Sequence, residues 1–372
     1  MKVVIAAAGT GGHINPGIAI ANQIKEKNPD AEIVFIGTNR GLENDLVPRA
    51  GYQLKTIEAY GLQKEISIRN LRNVIKTFQS KKDIQKYFDE FQPDVVIGTG
   101  GYICVPVFAV ATKMHLPTIL HESNAFPGRA VKMYAKKVSC VLVGFSDTKE
   151  FLKKVDHVVV TGNPTKVKKK TISPEEKKSI LELMGIKNDL PIVLVFGGSQ
   201  GAKRINDAVF GLIHEKKNEK YQIIWATGPK QYDEIKEMFE KENENINHIM
   251  NSKIVPYIYN MEELMNLADL LVCRSGAMTI TEVANVGKPA IFIPLPSRMA
   301  NRQEDNARVL EKIGAAKMIL NDELNSENLA KEIDSIVLDP EKREKMGKKA
   351  TKISIEGVEE KIYQEIEKSL QK

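Results

Sequence analysis

The stretch AAAGTGGHINPG, residues 6–17, sets His13 directly after glycines 9, 11 and 12, at the end of the first apolar run of the chain. Glycines in such a turn take positive φ and let a large ligand approach the backbone N–H groups. Pro16 is expected to open a helix, whose N-terminus offers unpaired N–H groups and the positive end of a dipole, an environment suited to phosphate. His13 beside that phosphate reads either as a general base or as a histidine bonded to the backbone. The loop itself could also be a tight strand-to-helix turn without a ligand. It is neither of two familiar phosphate motifs: Ile14 stands where a dinucleotide fingerprint needs its last glycine, and no Gly-Lys-Ser/Thr follows.

Five further stretches carry the same kind of chemistry. GTGGYICVP, residues 98–106, repeats the glycine device, so a diphosphate gripped from two sides is expected. HESNAFPGRA, residues 121–130, puts His121, Glu122 and Asn124 past the end of a strand, where polar side chains face ligand or cap the next helix. FGGSQGA, residues 196–202, adds the Ser199 and Gln200 side chains to backbone donors, which suits a leaving phosphate. RSGAMTITEVANVGKP, residues 274–289, sets Gly276 at a strand-to-helix turn and Glu282 on the helix, where a carboxylate can accept from adjacent ribose hydroxyls or lie solvated. Finally PSRMANRQEDNARVL, residues 296–310, gathers Arg298, Asn301, Arg302, Gln303, Glu304 and Asn306; amides that donate and accept suit sugar hydroxyls.

These loops need a scaffold that presents strand ends. Short β-rich apolar runs alternate with helical-period segments through both halves, the pattern of parallel sheets covered by helices on both faces. At 372 residues two domains are expected. The stretch TGNPTKVKKKTISPEEKK, with Pro164, four lysines from 166 to 170 and Ser173 before Pro174, reads as the linker. The domains expected are 1–163 and 164–350, with a C-terminal helix in 351–372 packing back on the first. Ligands of such sheets bind at the carboxyl ends of the strands, so a cleft lined by both sets of loops is the expected active site.

The net charge of +6, from 54 basic and 48 acidic residues, is too mild to imply nucleic acid. Three cysteines without C-x-x-C spacing argue against a disulfide framework or a zinc site and fit a reducing cytoplasm. No Asp-x-Asp occurs and no histidine or carboxylate cluster has metal-ligand spacing, so loop amides and a helix dipole are expected to carry the diphosphate charge, without metal or other cofactor. The apolar start is interrupted after about six residues, unlike a signal peptide, and no run approaches the roughly 18 residues of a membrane span. Residues 63–86 set Leu71, Val74, Ile75 and Phe78 at helical spacing among Arg69, Arg72, Lys76, Lys81, Lys82 and Lys86. That stripe faces either an anionic membrane surface or the core.

GTGGHINPG, TGGYICVP, HESNAFPGRA, TGNP, GGSQGA, RSGAMTITE and NRQEDNA, in this order over roughly residues 3–310, closely resemble the bacterial N-acetylglucosaminyltransferases that form the second lipid-linked intermediate of peptidoglycan. The resemblance implies a GT-B fold, two Rossmann-like domains facing across a cleft. It implies UDP-N-acetylglucosamine in the C-terminal domain and undecaprenyl-diphosphoryl-N-acetylmuramoyl-pentapeptide in the N-terminal one, at the cytoplasmic face of the cell membrane, with cell-wall synthesis proteins as partners. Thr10, Gly11 and Gly12 with Gly100, Gly101 and Tyr102 would cradle the acceptor diphosphate, and His13 would be the base. Asn124, Lys166, Ser199, Gln200, Gly276, Ala277, Glu282, Gln303 and Asn306 would bind the donor. Lys166 stands where the family tends to have arginine, and Arg302 where it tends to have histidine or glutamine. Two other readings stay open: a UDP-sugar-dependent diacylglycerol glycosyltransferase, and a non-catalytic nucleotide-sugar binding subunit.

Overall fold

The computed structural model describes residues 1–60, 68–186, 190–296 and 302–371, and of 68–75 and 78 the backbone alone. The chain divides into two compact units, Met1–Thr165 with Ile355–Lys372, and Lys166–Ser354.

The first unit is built on seven strands: β1 Lys2–Ala6, β2 Glu32–Gly37, β3 Gln53–Thr56, β4 Val95–Gly98, β5 Thr118–Glu122, β6 Cys140–Val143 and β7 Val158–Val160. They lie in the order β3-β2-β1-β4-β5-β6-β7, with every pairing parallel. The side-chain alternation of β1 explains the layers. Val3 and Ile5 share a core with Ile14, Ile20 and Ile24 of the helix Gly11–Lys27 and with Val358, Ile362 and Ile366 of the helix Val358–Leu370. Val4 and Ala6 share another with Ile84, Phe88, Val107 and Phe108. A strand buried on both faces must be apolar throughout, which is why VVIA reads as an unbroken run.

The second unit repeats the scheme with β8 Ile192–Phe196, β9 Gln222–Ala226, β10 Ser252–Val255, β11 Leu270–Cys273, β12 Ala290–Phe292 and β13 Ala316–Met318, in the order β10-β9-β8-β11-β12-β13, again parallel. Val193 and Val195 pack with Ile205, Val209 and Leu212 of the helix Lys203–His214 and with Leu329 and Ile333. In each sheet the strand order reverses once, between β1 and β4 and between β8 and β11. Ligands of open parallel sheets bind at such switch points.

Three details differ from the sequence expectation or refine it. The helix expected to open at Pro16 begins at Gly11; the bond that Pro16 cannot donate would end on Gly12, within the first turn. Two edge strands, β3 and β13, carry no apolar run and were not expected. The cap at Ser173 is a reciprocal box: its hydroxyl accepts from the Glu176 N–H at 3.2 Å and its N–H donates to the Glu176 carboxylate at 2.8 Å. Of the basic stretch, residues 63–67 and the side chains of Arg69, Leu71, Arg72, Val74, Ile75 and Phe78 lie outside the described residues, as do Arg298 and Asn301. Among the described residues no helix is long and apolar enough to cross a membrane.

Candidate active site

The glycine loops of the first unit meet at its switch point, because one follows β1 and the other follows its neighbour β4. Thr10 is the N-cap of the helix Gly11–Lys27, with extended backbone and no side-chain cap bond, so Gly11, Gly12 and His13 form its first turn. The first N–H groups of a helix have no partner within it. Gly100 and Gly101 hold φ of +92° and +80°, and a Cβ on either would lie 3.2 Å from the His13 ring. The imidazole therefore lies against backbone that favours glycine. The Thr99 hydroxyl donates to the His13 carbonyl at 2.7 Å, and the Cys104 thiol donates to the Gly100 carbonyl at 3.1 Å. Tyr102 flanks Gly9. Thr10, Gly11, Gly12, His13, Gly100, Gly101 and Tyr102 thus come together at one strand edge.

His13 is half-buried, and loss of solvation pushes its pKa below the ordinary 6.5, while the Glu122 charge and a hydrogen bond to the Ala8 carbonyl act the other way. The imidazole is therefore neutral near pH 7, as a proton acceptor must be.

The loop after β5 differs from its sequence reading. His121 is fully buried, with Nε2 3.2 Å from the Gly162 carbonyl, and burial drops its pKa to about 4. Glu122 is also buried: Oε1 accepts from the N–H and the side-chain amide of Asn124, both at 2.9 Å, and Oε2 accepts from the Gly128 N–H at 2.6 Å. Neither side chain faces solvent; both shape the loop. Asn124 is half-buried, and its carbonyl accepts from the Thr148 hydroxyl at 3.1 Å. The Glu122 contacts lie within the motif and end on Gly128, the residue that precedes the helix Arg129–Tyr134, whereas Thr148 is 24 positions from Asn124.

In the second unit the loop after β8 faces the turn after β11 across the switch point. Ser199 and Gln200 are exposed in the first, ahead of the helix Lys203–His214. Gly201 has φ of +76°, and Gly228 crosses it so closely that a Cβ on Gly228 would lie 2.5 Å from the Gly201 Cα. Gly276 caps the helix Ala277–Val286, and Glu282 is half-buried in its second turn. The helix Gln303–Lys312 packs on this turn: the Ser275 hydroxyl donates to the Gln303 carbonyl at 2.8 Å, and the buried Asn306 amide donates to the Ser275 carbonyl at 3.2 Å. The Gln303 side-chain oxygen accepts from the Leu295 N–H at 2.9 Å. Arg274, unremarked in the sequence, ties the same region down by donating to the Ile293 and Pro294 carbonyls and to Asn321. Lys166 is exposed at the start of the unit, and the carbonyl of its neighbour Val167 accepts from the Asn285 side-chain amide, on the helix Ala277–Val286, at 3.1 Å.

Among the described residues one set of metal-type ligands converges, Cys140, His157 and Glu365, with ligand atoms within 4.8 Å of one another. Cys140 opens β6 and His157 precedes β7, so the set lies at the strand starts, opposite the glycine loops. Glu365 is already bonded to His157 at 3.0 Å and to Lys368 at 2.7 Å. All three cysteines are buried free thiols.

The comparisons with known proteins agree with this division. The glycosyltransferase family 28 N-terminal domain matches residues 3–143, and the family 28 C-terminal domain matches residues 192–362. A relative from Acetivibrio thermocellus, named UDP-N-acetylglucosamine--N-acetylmuramyl-(pentapeptide) pyrophosphoryl-undecaprenol N-acetylglucosamine transferase, is 44% identical over 98% of this chain and 97% of its own. One of the same name, numbered 2, from Bacillus thuringiensis is 38% identical over the whole of both chains. The crystal structure of MurG from Acinetobacter baumannii superposes with a TM-score of 0.78 at 26% identity, covering 99% of each chain. Two parallel α/β units, each with glycine loops at its switch point, together with near-full-length identity of this order, place the chain in glycosyltransferase family 28, in the group of the pyrophosphoryl-undecaprenol N-acetylglucosamine transferases.

Proposed function

We propose that this chain transfers N-acetylglucosamine from UDP-N-acetylglucosamine to the 4-hydroxyl of undecaprenyl-diphosphoryl-N-acetylmuramoyl-pentapeptide, inverting the anomeric carbon. The observation that supports this best is His13 lying against Gly100 and Gly101, beside two glycine loops that offer backbone N–H groups to a diphosphate. Thr10, Gly11, Gly12, Gly100, Gly101 and Tyr102 receive the acceptor diphosphate, helped by the positive end of the helix Gly11–Lys27. Ser199, Gln200, Gly276 and Ala277 hold the donor diphosphate at two helix N-termini; Glu282 meets the ribose, and Gln303, on the helix that the buried Asn306 ties to Ser275, meets the sugar. Lys166 adds a positive charge.

In the reaction the acceptor 4-oxygen bonds to the donor anomeric carbon as the bond from that carbon to the UDP oxygen breaks. The hydroxyl proton passes to His13, and UDP departs with the bonding electron pair. Attack opposite the leaving group converts an α-linked donor into a β-1,4-linked product. Positioning of both substrates supplies much of the rate. The undecaprenyl chain of the acceptor stays in the bilayer, so the enzyme works peripherally at the cytoplasmic face, with the basic stretch 63–86 against anionic lipid.

The experiment is UDP release from UDP-N-acetylglucosamine with a short-chain muramoyl-pentapeptide lipid analogue, and with diacylglycerol in parallel. Release and a disaccharide product with the first acceptor alone are expected. Release with diacylglycerol alone would move the chain to glycolipid synthesis, and no release with either would leave a binding subunit.

A further inference from the structure

Three glycines of the first unit are shaped around one side chain that the mechanism does not use. Glu43 opens the helix Glu43–Arg49 and has no exposed surface. Its Oε2 accepts from the Gly9 N–H at 2.9 Å; its Oε1 accepts from the Thr38 N–H at 2.9 Å and from the Thr38 hydroxyl at 2.7 Å. Gly37 is required beneath it, since a Cβ there would lie 2.8 Å from the Glu43 Cγ, and a Cβ on Gly41 would fall on the carboxylate itself. The Gly9 carbonyl closes the contact by accepting from the Leu42 N–H at 3.4 Å.

An ionised carboxylate is an acceptor only and is expensive to bury unless donors surround it. Here three donors converge. Burial by itself would raise the Glu43 pKa, and the bonds from Gly9 and Thr38 bring it below the ordinary carboxylate value, so the group is charged at neutral pH. A negative charge behind a diphosphate loop works against anion binding. The contact therefore has another use, which lies in the geometry of Gly9.

Gly9 has φ of +94° and is followed at once by Thr10, Gly11 and Gly12. A loop of this composition samples many conformations when unanchored. The Gly9 N–H, turned inward to Glu43, is withdrawn from any ligand, and that fixes the direction in which the next N–H groups and His13 leave the turn.

We infer that Glu43 is a positioning residue for the acceptor site: through the Gly9 N–H it sets the placement of Gly11, Gly12 and His13 without touching substrate. The inference rests on the proposed function, which assigns this loop to the acceptor diphosphate.

The test is steady-state kinetics of the full-length enzyme with the muramoyl-pentapeptide lipid analogue, comparing wild type with Glu43→Gln. The amide keeps the size of the side chain but turns an N–H₂ toward one of the present donors. The kcat/KM for the acceptor is expected to fall between about tenfold and a hundredfold, while the KM for UDP-N-acetylglucosamine stays put. Acceptor kcat/KM within about twofold of wild type, or an equal rise in the donor KM, would overturn the inference. Should Glu43→Gln fail to fold, Gly9→Ala strains the same turn with Glu43 intact, and the same split is expected; an unchanged acceptor kcat/KM would refute the anchor. Wild-type enzyme inactive on this acceptor is a different result, one that removes the proposed function and the inference with it.

Discussion

Glu122 holds Asn124 twice, through the backbone N–H and through the side-chain amide, both at 2.9 Å from one carboxylate oxygen. With the Gly128 N–H on the other oxygen, one buried side chain defines the loop after β5. Glu122→Ala leaves these donors without their acceptor, at a cost of about 1–3 kcal/mol for each one that water cannot reach. The expected result is a lower urea midpoint and a turnover that falls by more than tenfold, roughly, once Asn124 is loose. UDP affinity measured by calorimetry is expected to persist, since the second unit holds that ligand; loss of UDP binding at equal stability would contradict the assignment.

His13 supplies the second prediction. Because its pKa is lowered by burial, the neutral form predominates above pH 6.5, and kcat/KM is expected to rise with pH to a plateau reached before neutrality. His13→Ala is expected to cost about 10²–10⁴ in kcat, the range of general base catalysis, with donor KM nearly unchanged. A variant that retains the ascending limb would show that another group takes the proton.

His121 makes stability depend on pH in a separate window. Its folded pKa of about 4 lies below the ordinary 6.5, so the unfolded chain binds the proton more readily. Stability is complete above about pH 6.5 and declines as pH falls toward 4, by roughly 3 kcal/mol in total at 1.36 kcal/mol per unit. His121→Gln should flatten that part of a denaturation profile; an unaltered slope would mean that His121 is not its source.

Glu365 acts further into acid. Burial would raise its pKa, but the bonds from Lys368 and His157 lower it below 4.5, so its contribution is present above that pH and is lost as pH falls further. Protection factors for amide exchange in the helix Val358–Leu370, taken relative to the intrinsic rate at each pH, are expected to fall between about pH 5 and 3 in wild type and to be low throughout in Glu365→Ala. Equal protection in both would show that apolar packing alone retains the helix.

For the membrane, Leu71→Ser together with Phe78→Ser should release the protein from phosphatidylglycerol vesicles in a sedimentation assay while circular dichroism stays native. Loss of folding instead would make the stripe part of the core.

How much of this was legible in the sequence depends on where the deciding contacts lie. β8 reads directly from IVLVF, because a central parallel strand is buried on both faces and needs no partner to be recognised. β3, with sequence QLKT, has no such run; only its register with β2, Val34 opposite Gln53, makes it a strand. The glycine loops were visible because positive φ demands glycine locally. Whether a polar side chain at a strand end faces out was not. His121 and Glu122 resemble ligand groups in HESNAFPGRA, and what turns them inward is the Gly162 carbonyl and the Asn124 and Gly128 amides. Glu43 and Arg274 escaped notice because partners of each are far away in sequence: Gly9 is 34 positions from Glu43, and Asn321 is 47 from Arg274.

The division of the chain also sets an order of events on the ribosome. Residues 166–354 form one uninterrupted unit, whereas the other needs Val358, Ile362 and Ile366 to complete the core around Val3 and Ile5. Nascent chains emerge from the N-terminus, so the half made first must wait for the half made second. Until its last helix arrives, one face of the earlier sheet is covered only in part, by the helix Gly11–Lys27. A chaperone that cradles hydrophobic surface would find its longest opportunity there, and truncation at residue 354 would injure the portion of the enzyme translated at the very beginning.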